Sequence, residues 1–280
     1  MLGRMTTVNS NRTPQDWVLR SLGPAQAERT ILFLPGGLET AAFFDDLLAE
    51  PALADADLRL VAVTLPGFGG VALAKGFEPT VEGFADLVAD LVGELRCDLI
   101  VGHSLGANIA LELAVRRGFG GFLVLLSPAF SAEDEAKELR TLSRLGAIPG
   151  IGWLAFKVLF AAMSSAFKGS FPPARHDALI AEMRTTDPRI MRRMLPPYFA
   201  YLTRSGSIVD RLCRTGARAW VVRGDRDEVG LTDDERRGLE ACPTITMVQV
   251  PDAGHMVMVD QPSQVARLIL DVLGAESHTH

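Results

Sequence analysis

An α/β architecture, a mostly parallel sheet flanked by helices, is the expectation for this chain, and three patterns lead to it. Short apolar runs rich in β-branched residues alternate with helical stretches along most of the 280 residues, as a crossover-connected parallel sheet requires. That alternation stops between Ser131 and about Arg218, where only helical periodicity is found. One tight glycine-flanked turn, Gly102-His103-Ser104-Leu105-Gly106, joins a strand directly to a helix.

In chain order, strands are expected near 16–20, 30–34, 58–63, 97–101, 122–127, 218–223 and 246–250. Between them, helices are expected near 40–50, 80–95, 105–117, 232–241 and 263–273. Gly118 closes the third of these, because glycine takes the left-handed angles that end a helix. Thr232-Asp233-Asp234-Glu235 has the spacing of a capping box, and Pro262-Ser263 marks the start of the last helix. The break in alternation contains helical patterns at 133–145, 151–166, 174–186 and 188–204. The domain reading is therefore a core of residues 1–130 and 219–280 with an all-helical insert, residues 131–218. Residues 147–163 approach the length of a membrane span, but Pro149, Gly150, Gly152 and Lys157 interrupt them and Ser164-Ser165 follow. A buried lid helix, not a membrane span, is expected there.

The turn at Ser104 carries the chemistry. Cys97–Val101 reads as a buried strand and Ala107–Arg117 as a helix, so the G-x-S-x-G lies on the strand–turn–helix of a nucleophile elbow. Such a turn forces its central residue into strained angles and lifts the hydroxyl over a helix N-terminus, whose dipole favours developing negative charge. A serine hydroxyl needs a base, and the base needs a carboxylate to orient it. Of the five histidines, His278 and His280 lie in a polar tail. His103, beside the nucleophile, should point away from it, and His176 falls within the helical insert. His255 remains, after the strand Met247–Val250 and a short turn. The carboxylate should follow the strand Ala219–Arg223, where Asp225-Arg226-Asp227-Glu228 offers several candidates that a solvated turn would equally explain.

With these residues in place, the chain resembles the α/β-hydrolase superfamily, in its serine esterase, lipase and C–C hydrolase group. The late G-x-x-D of that family matches Gly224 and Asp227, and its Gly-His with a later proline matches Gly254-His255 and Pro262. The resemblance thus implies the triad Ser104, Asp227 and His255, with Asp225 a surface residue. It implies an oxyanion hole from the backbone N–H of Leu105 and of Gly37, with Leu38 as the alternative donor. The family's His-Gly in that loop is Pro35-Gly36 here, and its aspartate before Leu65-Pro66-Gly67 is Thr64. The resemblance also implies the α/β-hydrolase fold, with the helical cap inserted after the family's sixth strand, here Phe122–Ser127. It covers almost the whole chain and is specific only in the core.

The implied activity is hydrolysis of a carboxylic ester or related acyl compound through an acyl-enzyme. The same triad supports C–C hydrolysis of a dienone-type ring-cleavage product, and a non-catalytic ligand-binding member of the fold is a third reading. Dehalogenase and epoxide hydrolase chemistry would need an aspartate in place of Ser104. The substrate is expected to be small and partly apolar, with Leu38, Trp153, Phe156, Arg192 and Arg193 as candidate contacts. Residues 131–218 hold fourteen Lys and Arg against eight Asp and Glu, on a chain of net charge −6. No basic, aromatic-studded stretch points to nucleic acid. Cys97, Cys213 and Cys242 show neither paired spacing nor a metal pattern, and no metal or cofactor is expected. Met1–Arg12 has no apolar core or cleavage site, so a cytoplasmic location is expected, and a homodimer is left open.

Overall fold

In the computed structural model, the strands form one eight-stranded sheet in the order β1-β2-β4-β3-β5-β6-β7-β8. They run Arg4–Asn9 (β1), Asp16–Leu22 (β2), Arg29–Leu34 (β3), Leu58–Thr64 (β4), Leu99–His103 (β5), Phe122–Leu126 (β6), Ala219–Gly224 (β7) and Ile245–Val250 (β8). The structure describes residues 4–9, 16–148, 151–204 and 206–274. The tail with His278 and His280 and the Pro149-Gly150 pair lie outside them. Strands β3 to β8 pair in parallel, while β1 and β2 pair antiparallel at one edge. The α/β-hydrolase fold expected from the sequence is thus the one observed.

Strands β5 and β6 are buried at every residue, as a parallel sheet covered on both faces requires. Helices Val81–Leu95 and Leu105–Arg117 pack on each other, and Leu105–Arg117 lies against β5 and β6. A second group, Asp45–Leu48, Pro51–Ala54, Val257–Asp260 and Pro262–Gly274, packs together. The helix expected at 40–50 is a 3-10 turn, Ala41–Phe44, followed by Asp45–Leu48, and a separate turn, Pro51–Ala54, begins at Pro51, which has no N–H to continue the earlier one. Strand β1 has no counterpart in the expectations, since Met5-Thr6-Thr7-Val8 is too short a pattern to stand out. Its pairing with β2, Thr7 opposite Val18, is what makes it a strand. The Thr232 capping box and the Gly118 cap, at φ +64°, are both present.

Between β6 and β7 the described residues form helices alone: Lys137–Gly146, Ile151–Ala161, Met163–Ala166, Pro173–Arg184, Pro188–Leu202 and Ile208–Thr215. The first, second and fifth of these pack on one another. Ile208–Thr215, absent from the sequence expectations, instead packs on Leu105–Arg117 and Asp233–Glu240. Its Arg211 there bonds the fully buried carboxylate of Glu112 at 2.7 Å. Elsewhere the helices meet core loops through polar contacts. Thr40 Oγ1 donates to Glu182 at 2.7 Å, and the Gly69 N–H donates to Thr186 Oγ1 at 3.0 Å. Among the described residues, no helix is long and apolar enough to cross a membrane.

The segment leaves the core at Asp134, whose Oδ2 accepts the N–H groups of Phe130 and Ser131 at 2.7 and 3.0 Å. Burial pushes the Asp134 carboxyl up to about 7, opposed by those amides and reinforced by Glu235. A carboxyl with a raised folded pKa holds its proton more tightly when folded. Its contribution to stability therefore falls as pH rises from 3.8 towards about 7. Asp134→Asn should remove that loss. Thermal unfolding at pH 5 and pH 8 should show the variant gaining on wild type by on the order of 3 °C at the higher pH. A pH-independent difference would contradict this account.

Candidate active site

The loops that follow β3, β5, β7 and β8 meet at the carboxyl ends of the parallel strands, where an open α/β sheet leaves its crevice. Ser104 stands between β5 and the helix Leu105–Arg117 with φ +49° and ψ −117°, held by its N–H on Leu126 O at 2.9 Å. Left-handed angles cost a non-glycine residue about 1–3 kcal/mol and persist only where the surroundings enforce them. Here the surroundings are backbone. A Cβ on Gly102 would lie 2.4 Å from Gly106 O, and one on Gly106 would lie 2.2 Å from Leu34 O. Neither glycine has room for a methyl group, so the chain closes around Ser104 only with this sequence.

His255 Nδ1 lies 2.9 Å from Asp227 Oδ1. The Asp227 side chain is 1% exposed and also accepts the N–H of Val229 at 3.0 Å, with the Arg223 guanidinium 3.7 Å away. Burial alone would raise its pKa. The bond and charge of His255, with Ser127 and Arg223, outweigh burial and hold the carboxyl below its ordinary value. Asp225 is 38% exposed and instead accepts the Ala253 N–H at 3.2 Å, fixing the loop that carries His255. The two candidates left open by the local sequence thus have different partners. A Cβ on Gly224 would lie 2.2 Å from Ala253 O, so only glycine lets the histidine loop approach β7 this closely.

After β3 the chain turns at Gly36–Glu39, with Glu39 N–H on Gly36 O at 3.3 Å and Leu38 at φ +68°. Among the described residues, the amides of Gly37, Leu38 and Leu105 have no protein acceptor. For Leu105 this follows from its place in the first turn of a helix. Arg223 and Glu39 were not singled out by sequence reasoning. Each is a charged residue in an apolar or glycine-rich run, with no local signal of a long-range partner.

The candidate contacts from the helical segment are scattered. Trp153 is 48% exposed, with the Lys157 ammonium 4.3 Å from its ring centre. Phe156 is buried against Gly146. Arg192 donates to Gly146 O at 2.9 Å and Arg193 to Phe77 O at 3.0 Å. Both guanidinium groups thus hold main chain together. Leu38 is buried beside Gly37, and Met194, unmentioned in the sequence reading, approaches Gly37 to within 3.5 Å of a Cβ there.

These partners make the two aspartates separable by experiment. Asp227→Asn should lower kcat for an ester substrate by roughly 10²–10⁴-fold, because the amide no longer favours the tautomer with Nε2 free. Asp225→Asn should stay within a few-fold, since its carbonyl can still accept from Ala253. Steady-state kinetics of both variants check this, and the reverse ranking would reassign the carboxylate.

Comparison with known proteins adds the family. Among curated proteins, none matches the chain in sequence. The chain is similar in structure to a thermophilic esterase from Thermogutta terrifontis, at 19% identity and TM-score 0.73, covering 99% of this chain and 100% of that one. A putative aryl esterase from Burkholderia cenocepacia is similar at 17% identity and TM-score 0.75, covering 96% and 98%. A carboxylesterase from Bacillus subtilis is similar at 17% identity and TM-score 0.73, covering 98% and 92%. At these identities the likeness speaks for the fold. The sequence profile of the alpha/beta hydrolase family matches residues 31–268, from β3 into the last helix, and the chain therefore belongs to the alpha/beta hydrolase family.

Proposed function

We propose that the protein is a serine hydrolase of carboxylic esters or related acyl compounds, with Ser104, His255 and Asp227 as its triad. The observation that carries this reading is a strained, glycine-enclosed serine at the carboxyl end of β5, whose neighbour His103 bonds the main chain of a histidine paired with a buried carboxylate. The names of the three similar structures given above, each an esterase, support the same substrate class.

In this reading His255 keeps its Nδ1 proton in a hydrogen bond to Asp227, which leaves Nε2 as the acceptor for the Ser104 proton. Ser104 Oγ then attacks the acyl carbon, and the carbonyl oxygen takes the negative charge. The amides of Leu105 and of Gly37 or Leu38, free of protein acceptors, are the donors for that oxyanion. His255 returns the proton to the departing alcohol, leaving an acyl-serine. Water, losing its proton to His255, releases the acid and restores the hydroxyl. Residues 131–218 act as a lid in this scheme. Helix Pro188–Leu202, with Met194 over Gly37, gives the acyl side an apolar wall. Arg192 and Arg193, already bonded to carbonyls, are left out of substrate recognition.

Ser104→Ala should abolish covalent labelling by a fluorophosphonate and lower turnover of p-nitrophenyl esters by on the order of 10⁴-fold or more. Mass mapping of the labelled peptide checks the position. A label on Ser127, whose hydroxyl already donates to His255 O at 3.1 Å, would overturn the assignment.

A further inference from the structure

We infer that Glu39 and His103 are a buried pair of positioning residues that ties the turn carrying the Gly37 and Leu38 amides to the loop carrying His255. The inference rests on the serine-hydrolase reading and extends it to residues outside the triad. Glu39 is 2% exposed and His103 is fully buried, and among the described residues neither side chain bonds Ser104. Their contacts run in a line across the site. The Gly36 N–H donates to Glu39 Oε2 at 2.7 Å. Glu39 Oε1 lies 2.8 Å from His103 Nδ1. His103 Nε2 lies 2.9 Å from the main-chain oxygen of His255, which also accepts the Ser127 hydroxyl.

Proton counting fixes the roles along that line. A carbonyl oxygen only accepts, so His103 Nε2 must carry a hydrogen. The Glu39 carboxylate, which accepts from Gly36, stands 2.8 Å from Nδ1 as an ion-pair partner. A protonated His103 beside an ionised Glu39 leaves the pair neutral as a whole. Burial disfavours the imidazolium, but the charge and bond of Glu39, with the bond to His255, hold His103 above the ordinary histidine range.

The turn needs this support. Pro35 has no N–H, so Gly36 carries the first amide after β3. The Leu34 and Pro35 carbonyls press on Gly106 from one side, and Leu38 sits at left-handed angles. The Glu39 carboxylate folds back so closely that a Cβ on Gly36 would lie 2.7 Å from its Oε1. The peptides of Gly37 and Leu38 therefore stand between two anchors, the Gly36 bond and the Glu39 main chain. Through His103 the same carboxylate holds the backbone of the residue that moves the proton. Oxyanion donors and general base so keep one fixed separation, the geometric condition for stabilising charge that appears only during reaction.

The test compares Glu39→Gln with Glu39→Leu. Glutamine can accept from Gly36 through its oxygen and donate to a neutral His103 through its nitrogen, so the line of bonds survives without the charge. Leucine keeps most of the volume and removes both bonds. For a p-nitrophenyl ester, E39Q should keep kcat within about 5-fold of wild type. E39L should lose on the order of 10²-fold in kcat, as when one oxyanion donor is removed, with KM within about 3-fold. Affinity for a trifluoromethyl ketone, whose serine adduct places an oxyanion in the hole, should fall in step with kcat. A lowered Tm with kcat and ketone affinity unchanged would mean a purely structural role and would overturn the inference. If E39L is recovered unfolded, E39D carries the test, since its shorter arm cannot reach Gly36 and His103 together. An E39D enzyme with wild-type kcat and ketone affinity would overturn the inference equally. Phosphonate labelling of the wild type separates the two levels. No label on Ser104 would refute the hydrolase reading itself, whereas a labelled wild type with indifferent Glu39 variants refutes only the pair.

Discussion

The contact on which the site depends is backbone against backbone at Gly106, where a side chain would lie 2.2 Å from the Leu34 carbonyl. That approach brings the turn after β3 onto the first turn of the helix Leu105–Arg117. It therefore sets the distance between the two groups of free amides. Gly102, pressed on Gly106, enforces the strained angles of Ser104, and Gly224, pressed on Ala253, brings in the histidine loop. Three glycines thus define the edges of the crevice, each by lacking an atom. Strain at Ser104 is tolerable because the strands around it, β5 and β6, are buried throughout and cannot give.

Charge is arranged within that frame by pairing. Asp227 lies almost fully buried yet stays below its ordinary pKa, because His255, Ser127 and Arg223 outweigh burial with hydrogen bonds and positive charge. Glu39, after β3, meets His103 and the Gly36 amide. Buried charges left single would cost far more than either pair. Asp134 shows the contrary case. It has backbone donors but no cation as a direct partner, and its pKa is pushed up to about 7. The contrast follows from Coulomb attraction set against desolvation.

The helical segment between β6 and β7 meets the core through a few polar contacts, such as Thr40 with Glu182 and Gly69 with Thr186. Its apolar residues divide between inner packing and outward exposure. Phe156 and Met163 are buried, while Trp153, Leu154 and Val158 on the same stretch are exposed. Its last helix, Ile208–Thr215, is fastened to the core by Arg211 on Glu112. The composition of a segment therefore does not reveal which of its helices belongs to which layer.

The sequence by itself determined most of the sheet and the strand–turn–helix at Ser104. Periodicity and glycine spacing are local, and the ends of β3 to β8 fall within about two residues of their expected places. The order of serine, aspartate and histidine, each after a strand, was legible for the same reason. Local sequence left two neighbouring aspartates open and the G-x-x-D resemblance selected Asp227; its bond to His255 exists only because a loop 28 residues away is carried to it. Tertiary structure alone decided that Met5–Val8 lies in a strand, since an edge strand exists only through its partner. It also paired Glu39 with His103, residues 64 positions apart whose charges carry no local mark. Local backbone preference can be read along the chain, whereas the pairing of buried charges is settled only when distant segments meet.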